Sequence, residues 1–313
     1  MGNTNRFQLT RRQMLASGLA LGASAGLGWP ASPVRAQATW QLGPHELTVL
    51  SDGNLTLPMS FFLPDRSAEE IESLFAPHGM ALDALTPDCN ITLLRSGERL
   101  VLFDVGAGPN FQPTAGALPS ALDDLGIDPA DITDVVLTHA HPDHLWGILD
   151  DFEDPLYPEA QVWVPQAEWD YWRADDTLDK TPEARKSFVV GAQSRFDAIE
   201  DRVSMVTPGQ EVLPGIEALD TSGHTPGHMS YMVHGGSDSV LILGDAITNA
   251  VVSFERPDWA SGSDQDPEKG IETRTRLLDR LAADQSLVIG FHLPEPGRGR
   301  VERAGSAYRF AAS

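Results

Sequence analysis

Cysteine is almost absent. Cys89 is the single one in 313 residues, so no intramolecular disulfide can form. Stability must come from packing and bound groups, and Cys89 reads as a small buried side chain. Basic residues are also scarce, with 22 Lys and Arg against 45 Asp and Glu and a formal net charge of −23. So acidic a chain lacks the basic tract that nucleic acid and anionic lipid bind. It suits neutral or cationic substrates, although a metal site can present positive charge locally. After about residue 29 no apolar run approaches the roughly 20 residues of a membrane span. Residues 37–313 also contain no Gly-x-Ser-x-Gly elbow for a serine nucleophile.

The N-terminus reads as an address. Arg6, Arg11 and Arg12 precede an Ala/Gly/Leu-rich run from Met14 to about Trp29, and small-residue cleavage sites follow at Ala36 or Ala38. Thr10-Arg11-Arg12-Gln13-Met14-Leu15 resembles a twin-arginine export signal. The expectation is a signal peptide over 1–36 and one domain over 37–313, exported to the periplasm or secreted. No stable membrane insertion is expected after cleavage. Removal takes four arginines and no acid, so the mature chain is more acidic still.

The mature region reads as alternating strands and helices. Leu47–Ser51, Ile91–Arg95 and Leu100–Val105 are short apolar runs bounded by turn residues, hence strands. Pro119–Leu125 and Glu268–Ala283 have helical spacing. Asp151–Arg195, rich in Trp, Asp and Pro, reads as helices and loops laid over the core. Three further runs each deliver a polar residue at their end: Val135–Thr138 into His139, Val240–Gly244 into Asp245, and Leu287–Phe291 into His292. Strand tips are rigid platforms for a site.

Of nine histidines, His139, His141, His144, His224 and His292 all sit at such strand ends or Gly-bounded loops. In His139-Ala140-His141-Pro142-Asp143-His144, an i, i+2 pair in an extended turn can point two imidazoles at one metal. Asp143 and His144 can then face a second. Imidazole and carboxylate suit zinc and similar divalent ions.

His139-x-His141-x-Asp143-His144 resembles the signature of the metallo-β-lactamase superfamily. The later elements follow in order: His224 in Ser222–His228, Asp245 in Leu243-Gly244-Asp245, and His292 in Gly290–Pro294. Asp104-Val105-Gly106 resembles the family's Asp-Thr-Gly, with Val105 in place of Thr. The resemblance implies an α/β fold, a four-layer αββα sandwich. It implies one metal on His139, His141 and His224, a second on Asp143, His144 and His292, and Asp245 bridging. Asp104 would orient a ligand histidine. Asp143, Asp245 and Asp104 are thus the catalytic carboxylates. The cofactor would be two divalent ions, zinc first, with Mn, Co or Fe as options. Such a pair explains hydrolysis without a protein nucleophile, through a shared water that ionises near neutral pH.

Within the superfamily, Asp245 stands where many zinc β-lactamases carry cysteine or lack a bridging carboxylate, which disfavours antibiotic hydrolysis. His141 stands where flavodiiron oxidoreductases carry glutamate. The chain is similar to the methyl parathion hydrolase family in Asp104–Gly108, Ser222–His228, His292–Gly297, Tyr308–Phe310 and Asp170-Tyr171-Trp172. That similarity implies a small-molecule substrate: an organophosphate triester or aryl ester, or a lactone as the alternative. Phe111, Trp172 and Phe188 would form an aromatic cup for it. His228, four residues past His224, would line the pocket or pack behind the ligands. His45, His78 and His234 fit no element of the pattern. A non-catalytic periplasmic metal-binding protein is the alternative of another class. Oligomeric state is left open, a homodimer among the options.

Overall fold

The computed structural model describes residues 37–313. The signal-like segment 1–36 lies outside the described residues. Two seven-stranded sheets form the centre. The first runs in the order Gln37–Leu42, His45–Asn54, Asp88–Ser96, Arg99–Phe103, Asp134–Val136, Gln161–Pro165 and Val203–Val206. The second runs Glu211–Leu213, Ile216–Asp220, Met229–His234, Ser239–Ile242, Leu287–Ile289, Arg298–Ala304 and Ala307–Ala312.

The layering follows from the alternation of side chains along each strand. Val101 and Phe103 face the second sheet and pack with Tyr231, Val240 and Ile242, while Leu100 and Leu102 face the opposite way. There they meet helices Leu118–Asp124 and Lys186–Ile199, through Leu118, Leu122, Val189 and Phe196. The second sheet splits in the same manner. Leu241, Leu243 and Val288 turn outward onto Leu277, Leu278 and Leu281 of helix Pro267–Asp284. Strands buried on both faces therefore read as continuous apolar runs. The result is the expected four-layer αββα sandwich.

The runs singled out in the sequence are strands at these positions, and Leu118–Asp124 and Pro267–Asp284 are helices. Asp266 caps the long helix by accepting the Lys269 N–H at 3.0 Å. One expectation is corrected. The cover segment Asp151–Arg195 also contains a core strand, Gln161–Pro165, in parallel register with Asp134–Val136. Its Val162 and Val164 are buried, and the Trp and Pro flanking them masked a run this short.

The loop after Arg99–Phe103 carries Asp104 and is held from behind by Asp52, which is fully buried. Asp52 accepts backbone N–H groups from Ala107 at 2.8 Å, Gly116 at 3.1 Å and Leu118 at 2.7 Å. Gly106 has φ 75°, and a Cβ there would stand 2.5 Å from the Asp52 carboxyl carbon. The glycine is thus required by both backbone and neighbour. Replacing Asp52 by Ala strands three buried donors. The expected loss is on the order of 3 kcal/mol or more, read by denaturant unfolding of the metal-loaded protein. A midpoint equal to wild type would show that this carboxylate does not hold the loop.

Candidate metal centre

Parallel pairing sets the site. Arg99–Phe103 pairs in parallel with Asp134–Val136, and Ser239–Ile242 with Leu287–Ile289. Asp104, His139, Asp245 and His292 therefore emerge at the same edge of the sandwich. Thr138 O accepts the Met229 N–H at 3.0 Å and Leu137 O accepts the Tyr231 hydroxyl at 2.7 Å, locking the sheets together beside the site. His141 has extended backbone, φ −68° and ψ 159°. Pro142 then opens the short helix Pro142–Leu145, which turns Asp143 and His144 back toward the histidine pair.

All seven predicted ligands converge. His141 Nδ1 lies 2.9 Å from His224 Nε2, and His224 Nε2 lies 3.2 Å from Asp245 Oδ2. His144 Nε2 lies 3.3 Å from Asp245 Oδ1 and 3.4 Å from Asp143 Oδ2. His292 Nε2 lies 3.1 Å from Asp143 Oδ2 and 3.4 Å from Asp245 Oδ2. Donors about 2.0–2.1 Å from a tetrahedral ion stand roughly 3.3 Å apart, so these spacings suit divalent metal. His139 belongs to two groupings, one with His141 and His224 and one with His144 and Asp245. Asp245 lies between the halves, one oxygen toward His144 and the other toward His224 and His292. His139 Nε2, His144 Nε2, Asp143 Oδ2 and Asp245 Oδ1 are buried without a hydrogen-bond partner. Such orphaned atoms cost free energy unless a bound ion completes them, and the donor set fits one.

The far side of each imidazole is held. Asp104 accepts from His144 Nδ1 at 2.8 Å and from the Thr138 N–H at 2.7 Å, leaving His144 Nε2 bare toward the site. Asp104 has φ 62°, left-handed backbone kept by these bonds. His292 Nδ1 donates to Asp88 O at 2.8 Å, and Asp264 meets His224 Nδ1 at 3.1 Å. Gln265 reaches His141 Nε2 at 3.3 Å, and its own Oε1 has no other partner. Turned over, that amide accepts the His141 Nε2–H and leaves Nδ1 free.

Electrostatics agree with a missing cation. Burial, reinforced by neighbouring imidazoles, pushes His139 and His141 well below the ordinary range, so both are neutral. Burial would lower His144 and His292 as well, but the surrounding carboxylates outweigh it and hold both well above that range. Both directions mark a place that favours positive charge, which a bound metal would supply.

Sequence reasoning missed four groups. Glu168 is fully buried and accepts the Ala140 N–H at 3.0 Å, the Trp172 Nε1–H at 2.7 Å and the Gly227 N–H at 2.7 Å. It ties the His139–His141 loop to the His224 loop. Asp264 and Gln265 are the second and third. Cys89 is the fourth: buried as expected, it has Sγ within 4.8 Å of the donor atoms of Asp143 and His292. Burial pushes its thiol up to about 11. Apart from the Glu168–Trp172 pair, four residues apart on one helix, these contacts close over tens of residues or more and leave no local sequence signal.

Over the cluster lies a cleft of about 600 Å³, counting its open mouth. Phe111 and Phe188 line it, joined by Phe61 and Phe62, which were not anticipated. Two pocket assignments are corrected. Trp172 is 1% exposed and sits behind His141, ring centroids 5.9 Å apart, because its Nε1–H is drawn to Glu168. His228 is also off the wall: it hydrogen-bonds Thr221 Oγ1 at 2.8 Å and accepts the Asp245 N–H at 2.8 Å, so it packs behind the ligands.

A family model described as the metallo-beta-lactamase superfamily matches residues 86–292. The chain is 30% identical to metallo-beta-lactamase domain-containing protein 1 of Xenopus laevis over 201 residues, covering 63% of this chain and 68% of that one. Among solved structures, it is similar to AidC, described as a dizinc quorum-quenching lactonase in complex with a product. Identity is 26% and the TM-score 0.84, over 90% of this chain and 99% of AidC. It is also similar to AbOPH, described as a hydrolase in the beta lactamase superfamily, with identity 27% and TM-score 0.83 over the same shares.

The cluster predicts that chelation lowers the melting temperature and that about two equivalents of zinc per chain restore it, read by elemental analysis and thermal unfolding. Glu168→Gln should cost about 10- to 100-fold in metal affinity, because an amide N–H₂ then faces backbone donors. Wild-type affinity would show that the two loops hold their positions without this carboxylate.

Proposed function

The chain belongs to the metallo-β-lactamase superfamily and is a metal-dependent hydrolase of that fold, and on that premise we propose that it cleaves a neutral ester-type bond in a substrate with an apolar limb. The observation that carries this reading is the cleft. Its walls over His141, His224 and His292 are Leu55, Leu57, Phe61, Phe62, Phe111 and Phe188. Phe188 stands edge-on to Phe111 at 5.9 Å and to His141 at 5.9 Å, so an aryl or acyl group seated there lies directly above the ligand cluster.

We assign His139, His141 and His224 to one ion, Asp143, His144 and His292 to the other, and Asp245 to both. Bound there, a divalent pair supplies Lewis acidity for hydrolysis near neutral pH. The chain's own residues do the rest. Asp104, Asp264 and Asp88 O fix the tautomers of His144, His224 and His292. Against the cost of burial, the neighbouring imidazoles hold Asp143 and Asp245 well below the usual carboxylate range, so both meet the site as anions. The phenylalanines exclude water, which strengthens every charge interaction beneath them. Zinc is the metal we favour, from the imidazole-rich donor set.

Lactones are favoured as the ester by the similarity to AidC. Aryl esters and aryl phosphotriesters remain the comparison, since the cup suits a flat leaving group. We also propose that residues 1–36 direct export and are removed, so the active form begins near Gln37 or Thr39. Among the described residues no helix is long and apolar enough to cross a membrane. N-terminal sequencing of the periplasmic protein checks this, and an uncleaved Met1 or Gly2 start would refute it.

A panel of acyl-homoserine lactones, aryl esters and aryl phosphotriesters should show turnover by the zinc-loaded protein. Phe188→Ala should lower kcat/KM for long-chain or aryl members about 10- to 100-fold relative to short lactones. Trp172→Ala should instead depress all members alike, because Trp172 supports Glu168 rather than the cleft. A metal-replete protein inert on the whole panel would favour a binding protein; a Trp172→Ala loss confined to aryl members would put the indole back on the cleft wall.

A further inference from the structure

The cleft contains one charged group that the hydrolytic reading leaves unused. Arg185 ends the short turn Glu183–Arg185 and lines the same cleft as His141, His224 and His292. Among the described residues it is the one Lys or Arg on that wall. It is half-buried, and its guanidinium carbon lies 5.2 Å from the centroid of the Phe61 ring. One Nη2 donates to Gly262 O, which fixes the plane of the group. No carboxylate among the described residues comes within ion-pairing distance of it. By contrast, the fully buried Arg274 meets Asp264 at 3.4 Å. A guanidinium has five N–H donors in a rigid fork. Here one is spent on Gly262 and the others have no protein acceptor among the described residues.

Asp264 acts on this cation only from beyond ion-pairing distance, and an anchored, partly desolvated guanidinium with free donors is matched by an oxyanion, which takes the fork in a bidentate pair. The chain's net charge of −23 repels anions at long range. On the cleft wall, away from the metal ligands, Arg185 is the local cation that can offset this repulsion. We propose that Arg185 is a specificity-determining residue that binds a carboxylate on the non-reacting limb of the substrate. The inference rests on the ester-hydrolase reading and narrows it. The scissile bond is neutral, the limb is apolar along Phe61 and Phe188, and its far end carries the negative charge.

The test uses zinc-loaded protein and the 4-nitrophenyl half-esters of linear dicarboxylic acids of increasing length, each paired with its methyl-capped counterpart. At one chain length the wild type should prefer the free carboxylate by about tenfold or more in kcat/KM, chiefly through KM. In Arg185→Met that preference should fall to about one, and Arg185→Lys should keep an intermediate value. Zinc content should be the same in all three. No preference at any length in the wild type, or a preference that survives in Arg185→Met, overturns the proposal. Loss of both partners in equal proportion would assign Arg185 to a neutral carbonyl and overturn it too. If no ester is cleaved, the hydrolase reading fails separately. Calorimetry with the free dicarboxylates and their monomethyl esters then still decides whether binding preference depends on Arg185.

Discussion

Five imidazoles and two carboxylates crowd one end of the sandwich, with donor atoms as little as 2.9 Å apart, a spacing that suits donors gathered on a shared cation. Bare nitrogens repel one another, and buried carboxylates lose their hydration. The fold accepts this cost on rigid parts. The ligands sit at strand ends or in loops pinned by buried hydrogen bonds, so the crowd cannot relax by moving apart. Carboxylates around His144 and His292 outweigh burial and favour positive charge at both, which is what a bound cation would supply there.

Two kinds of support hold the crowd in place. One is the sheet edge, where backbone pairing fixes where Asp104, His139, Asp245 and His292 emerge. The other is a ring of buried polar side chains. Asp52 braces the Asp104 loop, Glu168 joins the two histidine loops, and Asp264 steadies His224 with Arg274 behind it. Asn90 lies within 3.2 Å of the carbonyls of Gly290, Phe291 and Leu293, stitching the His292 loop to the first sheet. Each carboxylate in the ring faces several N–H donors, which offsets its burial.

The convergence of the seven candidate ligands was legible in the sequence because their constraints are local. Val135–Leu137, Val240–Leu243 and Leu287–Ile289 are apolar on both faces, and each breaks into a polar residue where the strand leaves the core. The ring was not legible. Glu168 lies 28 residues from Ala140 and 59 from Gly227, and nothing in helix Gln166–Arg173 marks its partners. Trp172 was misplaced for a related reason. It is four residues from Glu168 on the same helical face, and the buried carboxylate drew the indole inward. An aromatic residue beside a metal motif suits either a pocket wall or its backing, and only the third dimension separates the two. Phe61 and Phe62 escaped notice because the turn Met59–Phe62 lies almost eighty residues before His139, the first of the candidate ligands.

The ligands and the cavity wall come from different parts of the chain, and this separation has a physical consequence. The metal-binding groups stand on the two sheets and their edge loops. The wall comes from Met59–Phe62, the Phe111 loop and the cover from Glu183 to Phe188. Phe188 stands edge-on to His141 and Arg185 feels the charge of Asp264, but neither hydrogen-bonds to the polar ring that orients the imidazoles. Changes to side chains that share no partner add nearly independently. The wall can therefore differ in shape and charge while Asp104, Glu168 and Asp264 keep the donors at working separation. Reaction type then resides in the sandwich edge and substrate choice in the cover. Seven candidate ligands consequently say little about what is hydrolysed, and side chains of the cover such as Phe188 and Arg185 are where that choice can be sought.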